Sequence, residues 1–172
     1  EAPGSNEDAQ GLPFVGNAGN VLNRLIEGIG LEREEVFVTN IVKCRPPDNR
    51  DPEPAEIDAC SGYLRRQIEL MDPEAIITLG RFSMNHFIPG ERISRIHGSS
   101  HEVDGRIIIA MYHPAASLHQ PGLADTLAED GANGVELYRA NLHRVMRPQR
   151  STVHVPTQVV IDVNGVGYEV LI

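Results

Sequence analysis

The chain has 172 residues, a length typical of one domain with at most a small appendage. Hydrophobic residues make up 41% and charged residues 23%, so it can fill a sizeable core and is neither disordered nor fibrous. It lacks a long apolar run of membrane-spanning length, and its first residues do not resemble a signal peptide, so we expect a cytoplasmic protein. The net charge of −9, from 15 basic and 24 acidic residues, by itself argues against a nucleic-acid partner.

The first half of the chain alternates helical and strand-like patterns. Residues 1–8 are rich in turn formers and predict an opening loop. Apolar residues at helical spacing predict a helix over residues 17–29, which Gly30 would end. The β-rich run over residues 36–42 predicts a buried strand, and the prolines of residues 45–54 predict a loop after it.

The second half continues this alternation. Proline in the first turn predicts a helix over residues 54–71, and the short apolar run 75–79 predicts a strand. A helix over residues 81–88 should follow. The turn pair Asp104-Gly105 predicts a hairpin of residues 101–103 with 106–111. A last helix is predicted over residues 134–145, after a stretch without clear periodicity.

Strands alternating with helices predict an α/β fold with a mainly parallel central sheet. In such folds, ligands bind at the carboxyl ends of the strands. The loops that follow residues 42 and 111 are therefore candidate site loops, and so is the opening loop. Because no strand precedes the opening loop, we expect the first strand of the sheet to be missing.

The end of the chain has a different pattern. Two β-rich runs, 159–163 and 166–172, flank Asn164-Gly165 and predict a β-hairpin. A polar, proline-bearing spacer precedes them, and a two-stranded hairpin is marginal on its own. The sequence therefore divides into a domain over residues 1–146 and a spacer with an unrelated hairpin tail over residues 147–172.

Several side chains are candidates for chemistry, each with a structural alternative. His113 follows a buried strand and could be catalytic or structural. The Asn40 amide can donate and accept together, which suits a nucleobase edge, or it could be a satisfied core amide. Phe14, in a glycine-rich loop, could stack on a ligand or anchor the core. Glu7 and Asp8 could supply a general base or form a solvated acidic pair.

The two cysteines, Cys44 and Cys60, lie 16 positions apart. In a chain without a secretory signal a disulfide is a poor first hypothesis. Two thiolates cannot complete a zinc site or an iron–sulfur cluster, each of which takes four ligands. On the residues alone, buried free cysteines are the favoured interpretation over metal ligands.

Together these motifs resemble the family 4 iron–sulfur uracil-DNA glycosylases over about residues 1–146. The resemblance rests on their order and spacing: Glu1-Ala2-Pro3-Gly4, Pro13-Phe14-Val15-Gly16, Thr39-Asn40-Ile41-Val42-Lys43-Cys44-Arg45-Pro46-Pro47, Leu79-Gly80-Arg81 and His113-Pro114-Ala115-Ala116. It implies a three-layer α/β/α sandwich. It also implies an enzyme of base excision repair that acts on uracil-containing DNA. We expect no membrane association and a monomeric protein. The reaction is hydrolysis of the N-glycosidic bond of deoxyuridine after the base is flipped into a pocket.

The resemblance also implies roles for individual residues. Phe14 would stack on the flipped uracil, and the Asn40 amide would pair with its N3–H and O4. His113 would donate a hydrogen bond to O2, where negative charge gathers as the base departs. Glu1 would place the attacking water, and Glu7 would exclude the methyl group of thymine. The remaining residues expected to line the pocket are Ala2, Pro3 and Gly4.

The general base stays open, because Ala2 stands where some other glycosylase families carry aspartate. Contacts with the DNA backbone would come from Lys43 and Arg45, with Arg50 and Arg81 as further candidates. The loop formed by Ala115, Ala116, Ser117 and Leu118 would touch phosphates, and Leu118 would fill the space left in the base stack. Because nine of the 15 basic residues lie between positions 43 and 106, the local field near the pocket can differ in sign from the net charge.

The family binds a [4Fe–4S] cluster through four cysteines, and Cys44 and Cys60 match the second pair. The first pair is absent from this sequence. Two alternatives therefore stay open: a catalytically impaired DNA-binding remnant, and a glycosylase for another damaged base. The tail resembles the N-terminal hairpin of the bacterial Holliday-junction branch-migration subunit that grips DNA, and it suggests no function here.

Overall fold

A computed structural model describes residues 1–141, 159–163 and 166–170 of the chain. Short 3-10 turns lie at Arg33–Glu35 and Pro47–Asn49. The helices of the described residues are α1 Ser5–Gln10, α2 Asn17–Gly28, α3 Pro54–Met71, α4 Arg81–Phe87, α5 Ile93–Ile96, α6 Ala115–His119 and α7 Leu123–Asn141. The strands are β1 Ala75–Leu79, β2 Ser100–Val103, β3 Arg106–Met111, β4 Val159–Val163 and β5 Val166–Val170.

The α/β class predicted from the sequence is confirmed, but the sheet is mixed. Its strand order is β1-β3-β2, with β1 parallel to β3 and β2 antiparallel to it. The expectation of a mainly parallel sheet is therefore wrong for the described residues. The hairpin of β2 and β3 turns at Asp104-Gly105, whose φ angles of 50° and 73° suit a tight hairpin turn.

The core is built on the two faces of β3. Side chains alternate across a strand, and Ile107, Ile109 and Met111 pack with Leu127 of α7 on one face. On the other face Ile108 is only 1% exposed. Ala110 on that face is also buried, so both faces of β3 are covered, as a layered α/β fold requires.

Helices α2, α3 and α4 begin at the predicted residues, but α7 does not. It begins at Leu123 rather than at residue 134, in the stretch that lacks clear periodicity. A Cβ atom added at Gly134 would lie 3.1 Å from Cγ2 of Ile109, so this glycine lets α7 approach the sheet closely. Packing on β3 thus outweighs the weak helix propensity of the glycines in α7.

The predicted strand over residues 36–42 does not form. Residues 37–40 have no regular secondary structure and residues 41 and 42 lie in a bend, whereas a strand needs a partner about 4.8 Å away. A largely apolar cavity of about 420 Å³ is lined both by residues 36–41 and by β1. The segment and β1 are therefore not adjacent strands, and among the described strands β1 pairs only with β3.

The two ends of the chain also bear on the predictions. The opening residues were expected to be a loop, but they contain α1, which Gly11 ends in the left-handed conformation at φ 70°. The predicted tail hairpin is confirmed as an antiparallel β4–β5 pair, while its Asn164-Gly165 turn, the spacer and the last predicted helical residues lie outside the described residues. Within the described part of the chain, no helix is both long and apolar enough to cross a membrane.

Candidate active site

The site lies where the parallel strands β1 and β3 end together. Leu79 and Met111 are register partners, and the N–H of Gly80 donates to the carbonyl oxygen of Met111 at 2.9 Å. The chain therefore leaves the sheet at Gly80 and at Tyr112 side by side. This brings the start of α4 and His113 to one edge, as expected for an open α/β sheet.

A pocket of about 290 Å³ opens at this edge, a volume at the lower end for small-molecule sites. It contains every residue predicted to be catalytic or to bind the base: Glu1, Ala2, Pro3, Gly4, Glu7, Phe14, Asn40 and His113. Ala18 and Ala115 also line the pocket. The rest of the wall comes from the 45–54 loop: Pro46, Asn49, Arg50, Asp51 and Pro52. The loop after residue 42 was a candidate site loop from the sequence, but the pattern did not single out Pro46, Asn49, Asp51 or Pro52 as pocket residues.

Glu7 holds the opening motif against the Phe14 loop. Its Oε1 accepts hydrogen bonds from the N–H groups of Val15 and Gly16, each at 2.9 Å. Burial alone would raise the pKa of Glu7, but main-chain hydrogen bonds from the Gly16 region and its neighbours outweigh burial and lower it. Glu7 is therefore held in its ionised form by main-chain donors, and it links α1 to the Phe14 loop.

Phe14 occupies an unusual backbone conformation at the pocket wall. Its φ is 57°, and a Cβ added at Gly19 would lie only 1.9 Å from the carbonyl oxygen of Phe14, so position 19 requires glycine. The ring is 9% exposed, packs with Leu22 and Ile26, and stacks on the imidazole of His113 with centroids 5.5 Å apart. Phe14 is thus a core anchor that also forms one wall of the pocket.

The hydrogen bond at His113 defines its tautomer. The N–H of Ala115 donates to Nδ1 at 3.1 Å, so Nδ1 is an acceptor and the ring proton lies on Nε2. Burial lowers the pKa of His113 to about 4. At neutral pH His113 is therefore an uncharged hydrogen-bond donor through Nε2.

Glu1 and Asn40 complete the polar lining. Burial raises the pKa of the Glu1 carboxyl above its usual value, and the positive charge of Arg81 opposes that rise. A Cβ at Gly80 would lie 2.6 Å from Oε1 of Glu1 and 3.1 Å from Cβ of His113, so Gly80 makes room for both groups. Asn40 is only 9% exposed.

The family model of the uracil DNA glycosylase superfamily matches residues 1–133. The chain belongs to this superfamily. It is 50% identical over 140 residues to the type-4 uracil-DNA glycosylase of Sulfurisphaera tokodaii, covering 76% of this chain and 64% of the relative. The corresponding protein of Saccharolobus solfataricus is 51% identical over 140 residues, covering 76% and 65%. That of Archaeoglobus fulgidus is 47% identical over 139 residues, covering 76% and 70%.

The chain spans slightly less than two thirds of the first two relatives, at 64% and 65% of their lengths. The superfamily match ends before the tail, so the similarity of the tail to a branch-migration subunit stays a prediction. The family suggested by the sequence motifs is confirmed.

The basic residues near the pocket differ in whether their donors are already used within the protein. Arg45 is exposed, and its Nε donates to Oδ1 of Asn49 at 2.7 Å. Arg50 forms a bidentate ion pair with Glu56, with both N–O distances 2.8 Å, and Arg81 forms an ion pair with Asp51. These carboxylates compete with phosphates for Arg50 and Arg81. Lys43 differs again, because its ammonium hydrogen-bonds within the protein.

The loop predicted to contact DNA phosphates is the short helix α6. Ala115 lines the pocket, and Leu118 is 47% exposed on the same helix. Ala116 and Ser117 lie between them and are partly buried, and the Ser117 hydroxyl donates to the carbonyl oxygen of Pro114. An exposed leucine beside the pocket fits the predicted wedge.

The described cysteines do not form a complete metal site. Cys44 is exposed and Cys60 is partly buried, with its Sγ accepting the N–H of Lys43 at 3.3 Å. Among the described residues, no three or more histidine, cysteine or acidic side chains are grouped to hold a metal. A [4Fe–4S] cluster takes four thiolates, so the two cysteines alone do not complete such a site.

Proposed function

We propose that this chain is a uracil-DNA glycosylase domain that hydrolyses the N-glycosidic bond of deoxyuridine in DNA. One observation carries the proposal: Glu1, Asn40, His113 and Phe14 converge on one pocket, although up to 112 positions separate them in the sequence. Membership of the superfamily supports the same reaction. The partner would be uracil-containing DNA, bound by a cytoplasmic monomer.

The apolar cavity of about 420 Å³ is larger, but it is a poorer candidate for the site. Its lining is dominated by aliphatic side chains of α2, α3 and β1, which cannot read a polar base edge. The pocket at the sheet edge brings together two side-chain amides, an imidazole and three carboxyl groups. Convergent polar groups in a concave site are the usual mark of a specific binding site.

Base selection would rest on Asn40. The amide presents one acceptor and two donors, so it can accept from N3–H of uracil and donate to O4. Cytosine presents the opposite pattern at both atoms. Because Asn40 is only 9% exposed, a mismatched base would leave buried polar groups unpaired, at about 1–3 kcal/mol per group.

Departure of the base would rest on His113. When the C1′–N1 bond breaks, its electron pair leaves with the uracil, and the charge spreads to O2. A neutral imidazole with its proton on Nε2 can donate to O2 without transferring the proton. Removal of one such donor in enzymes typically lowers kcat by about 100- to 1000-fold.

Glu1 would place the water. The water oxygen bonds to C1′ as uracil leaves, and its proton must pass to an acceptor nearby. Burial raises the pKa of the Glu1 carboxyl, which makes it a better proton acceptor than an exposed carboxylate. Its position beside the start of α4 and below His113 suits this role.

The cluster that the family resemblance implies would use Cys44 and Cys60 as two of its four thiolates. No reaction step passes through such a cluster in this proposal. Iron analysis and visible absorbance of the purified protein test it. Iron bound in a Cys44→Ser, Cys60→Ser variant as in the unchanged chain would argue against these ligands.

The decisive experiment is cleavage of labelled oligonucleotides that carry one deoxyuridine, single-stranded or opposite guanine. The unchanged chain should produce abasic sites, and His113→Ala and Asn40→Ala should lose at least about 100-fold in rate. Matched controls are His86→Ala and Asn20→Ala, which alter exposed residues that do not line the pocket and should cleave normally. DNA binding without cleavage would favour the remnant instead, and cleavage of a different damaged base would refute the uracil assignment.

A further inference from the structure

Lys43 is the single lysine in a chain with 14 arginines. Its Nζ donates to Oε1 of Gln67 at 2.6 Å, to the carbonyl oxygen of Asn40 at 2.7 Å and to Oγ1 of Thr39 at 2.9 Å. An ammonium group has three hydrogens, so all three are used inside the protein. The phosphate contact that the sequence suggested for Lys43 therefore lacks a free donor.

The segment that carries Asn40 needs such a tie. It is not a strand, so no ladder of main-chain hydrogen bonds holds it on both sides. The N–H of Val42 donates to the carbonyl oxygen of Glu1 at 3.0 Å, and the side chains of Ile41 and Val42 pack on Leu64 of α3. These contacts are made by residues that follow Asn40, and none of them involves the main-chain carbonyl group of Asn40.

The hydrogen bonds of Lys43 connect Asn40 to a rigid element. Gln67 lies on α3, and the Thr39 hydroxyl also donates to its Oε1 at 3.1 Å. The ammonium thus joins the carbonyl of Asn40, the side chain of Thr39 and helix α3 in one cluster. Burial lowers the pKa of Lys43 to about 8, so the charge is held partly out of water beside neutral oxygens.

We propose that Lys43 is a positioning residue for base recognition: its ammonium fixes the main chain of Asn40 on α3 and so aims the Asn40 amide into the pocket. This inference rests on the proposed reading of the uracil edge by Asn40. An arginine cannot replace the ammonium, because its planar fork does not match three oxygens around one point. Misplacement of a reacting partner by about 1 Å can cost about 100-fold in rate.

The test compares Lys43→Met with Arg24→Met and Arg45→Met on single-stranded deoxyuridine oligonucleotides at several salt concentrations. Methionine keeps the unbranched stem and removes the ammonium. Arg24→Met removes the same charge from an exposed position outside the site, and should match the unchanged chain. Arg45→Met shows the behaviour of a lost phosphate contact, with a raised KM and a salt slope shallower by about 0.7.

For Lys43→Met we expect kcat to fall about 10- to 100-fold, with KM changed less than about threefold and the salt slope unchanged. Melting should show a cooperatively folded variant. A kcat within twofold of the unchanged chain would overturn the inference. So would a loss confined to KM with a shallower salt slope, because that result would restore the phosphate contact.

A second measurement separates this inference from the proposed reaction. If the unchanged chain does not cleave deoxyuridine, the proposed function fails, but NMR can still report on Asn40. The side-chain amide signals of Asn40 should shift or broaden in Lys43→Met and stay unchanged in Arg24→Met. Signals identical in the two variants would show that Lys43 does not position Asn40.

Discussion

Replacement of Gly80 by alanine tests whether the edge of the sheet must leave room for the catalytic groups. Gly80 has φ 92° and ψ 175°, a backbone region that is essentially restricted to glycine. An alanine Cβ would lie 2.6 Å from Oε1 of Glu1 and 3.1 Å from Cβ of His113. The substitution therefore strains the backbone and displaces the carboxylate of Glu1.

Gly90 provides a matched control, because it separates strain from collision. Its φ is 88°, but an added Cβ would meet nothing within 4 Å. Backbone strain of this kind costs about 1–3 kcal/mol, so both Gly80→Ala and Gly90→Ala should lower the free energy of unfolding by that amount. Gly80→Ala alone should also lower the rate of uracil release, by about 100-fold if Glu1 moves by about 1 Å.

The assay pairs urea unfolding with single-turnover cleavage of a deoxyuridine oligonucleotide at a temperature where both variants are folded. Equal stability loss with a rate loss only in Gly80→Ala is the expected result. If Gly80→Ala cleaves within twofold of Gly90→Ala, the close approach of Gly80 to Glu1 and His113 has no catalytic importance, and the role given to Glu1 is wrong.

Three other predictions concern pH and the polar contacts of the domain. With a pKa of about 4, His113 should stay neutral above about pH 5. The midpoint of its NMR titration and the acid limb of the kcat–pH profile should therefore both lie near pH 4, and a midpoint near 6.5 would contradict this. Because unfolded histidine protonates near 6.5, the unfolding free energy relative to His113→Gln should be full above pH 6.5. It should then fall by up to about 3 kcal/mol as pH drops to 4. Glu7→Ala leaves two N–H groups without their acceptor and should lower the free energy of unfolding in urea by about 1–3 kcal/mol. Glu7→Gln keeps an acceptor and should lower it less. Equal losses in the two variants would refute the role of Glu7 as acceptor for these groups. Asp130→Ala should lower the free energy of unfolding by about 1–3 kcal/mol, because Asp130 is only 5% exposed and its carboxylate lies 3.0 Å from Nδ1 of His97. Glu129→Ala, at an exposed position on the same helix, should not.

The sequence by itself determined the features that depend on short-range chemistry. Helical spacing predicts α2, a proline in the first turn predicts the start of α3, and Asp104-Gly105 predicts the hairpin of β2 and β3. The motifs around Phe14, Asn40 and His113 also identify the family, because their order and spacing are properties of the chain alone.

Tertiary structure decided what depends on partners distant in sequence. Residues 36–42 have the composition of a strand, but a strand forms only where a neighbour completes its ladder. The glycines of α7 disfavour a helix locally, yet their lack of side chains lets it pack on Ile109. Local sequence patterns indicate the intrinsic secondary-structure preference of a segment, but in these two segments tertiary contacts determine the structure.

The chemistry of the site was decided in the same way. The sequence motifs predict that His113 and Lys43 belong to the functional site. Only the fold shows that the Ala115 N–H donates to Nδ1 and so places the proton of His113 on Nε2. Only the fold shows that the ammonium of Lys43 donates to the carbonyl oxygen of Asn40. The physical reason is that protonation state and side-chain direction follow from burial and from hydrogen-bond partners, and both are fixed only when the chain is folded.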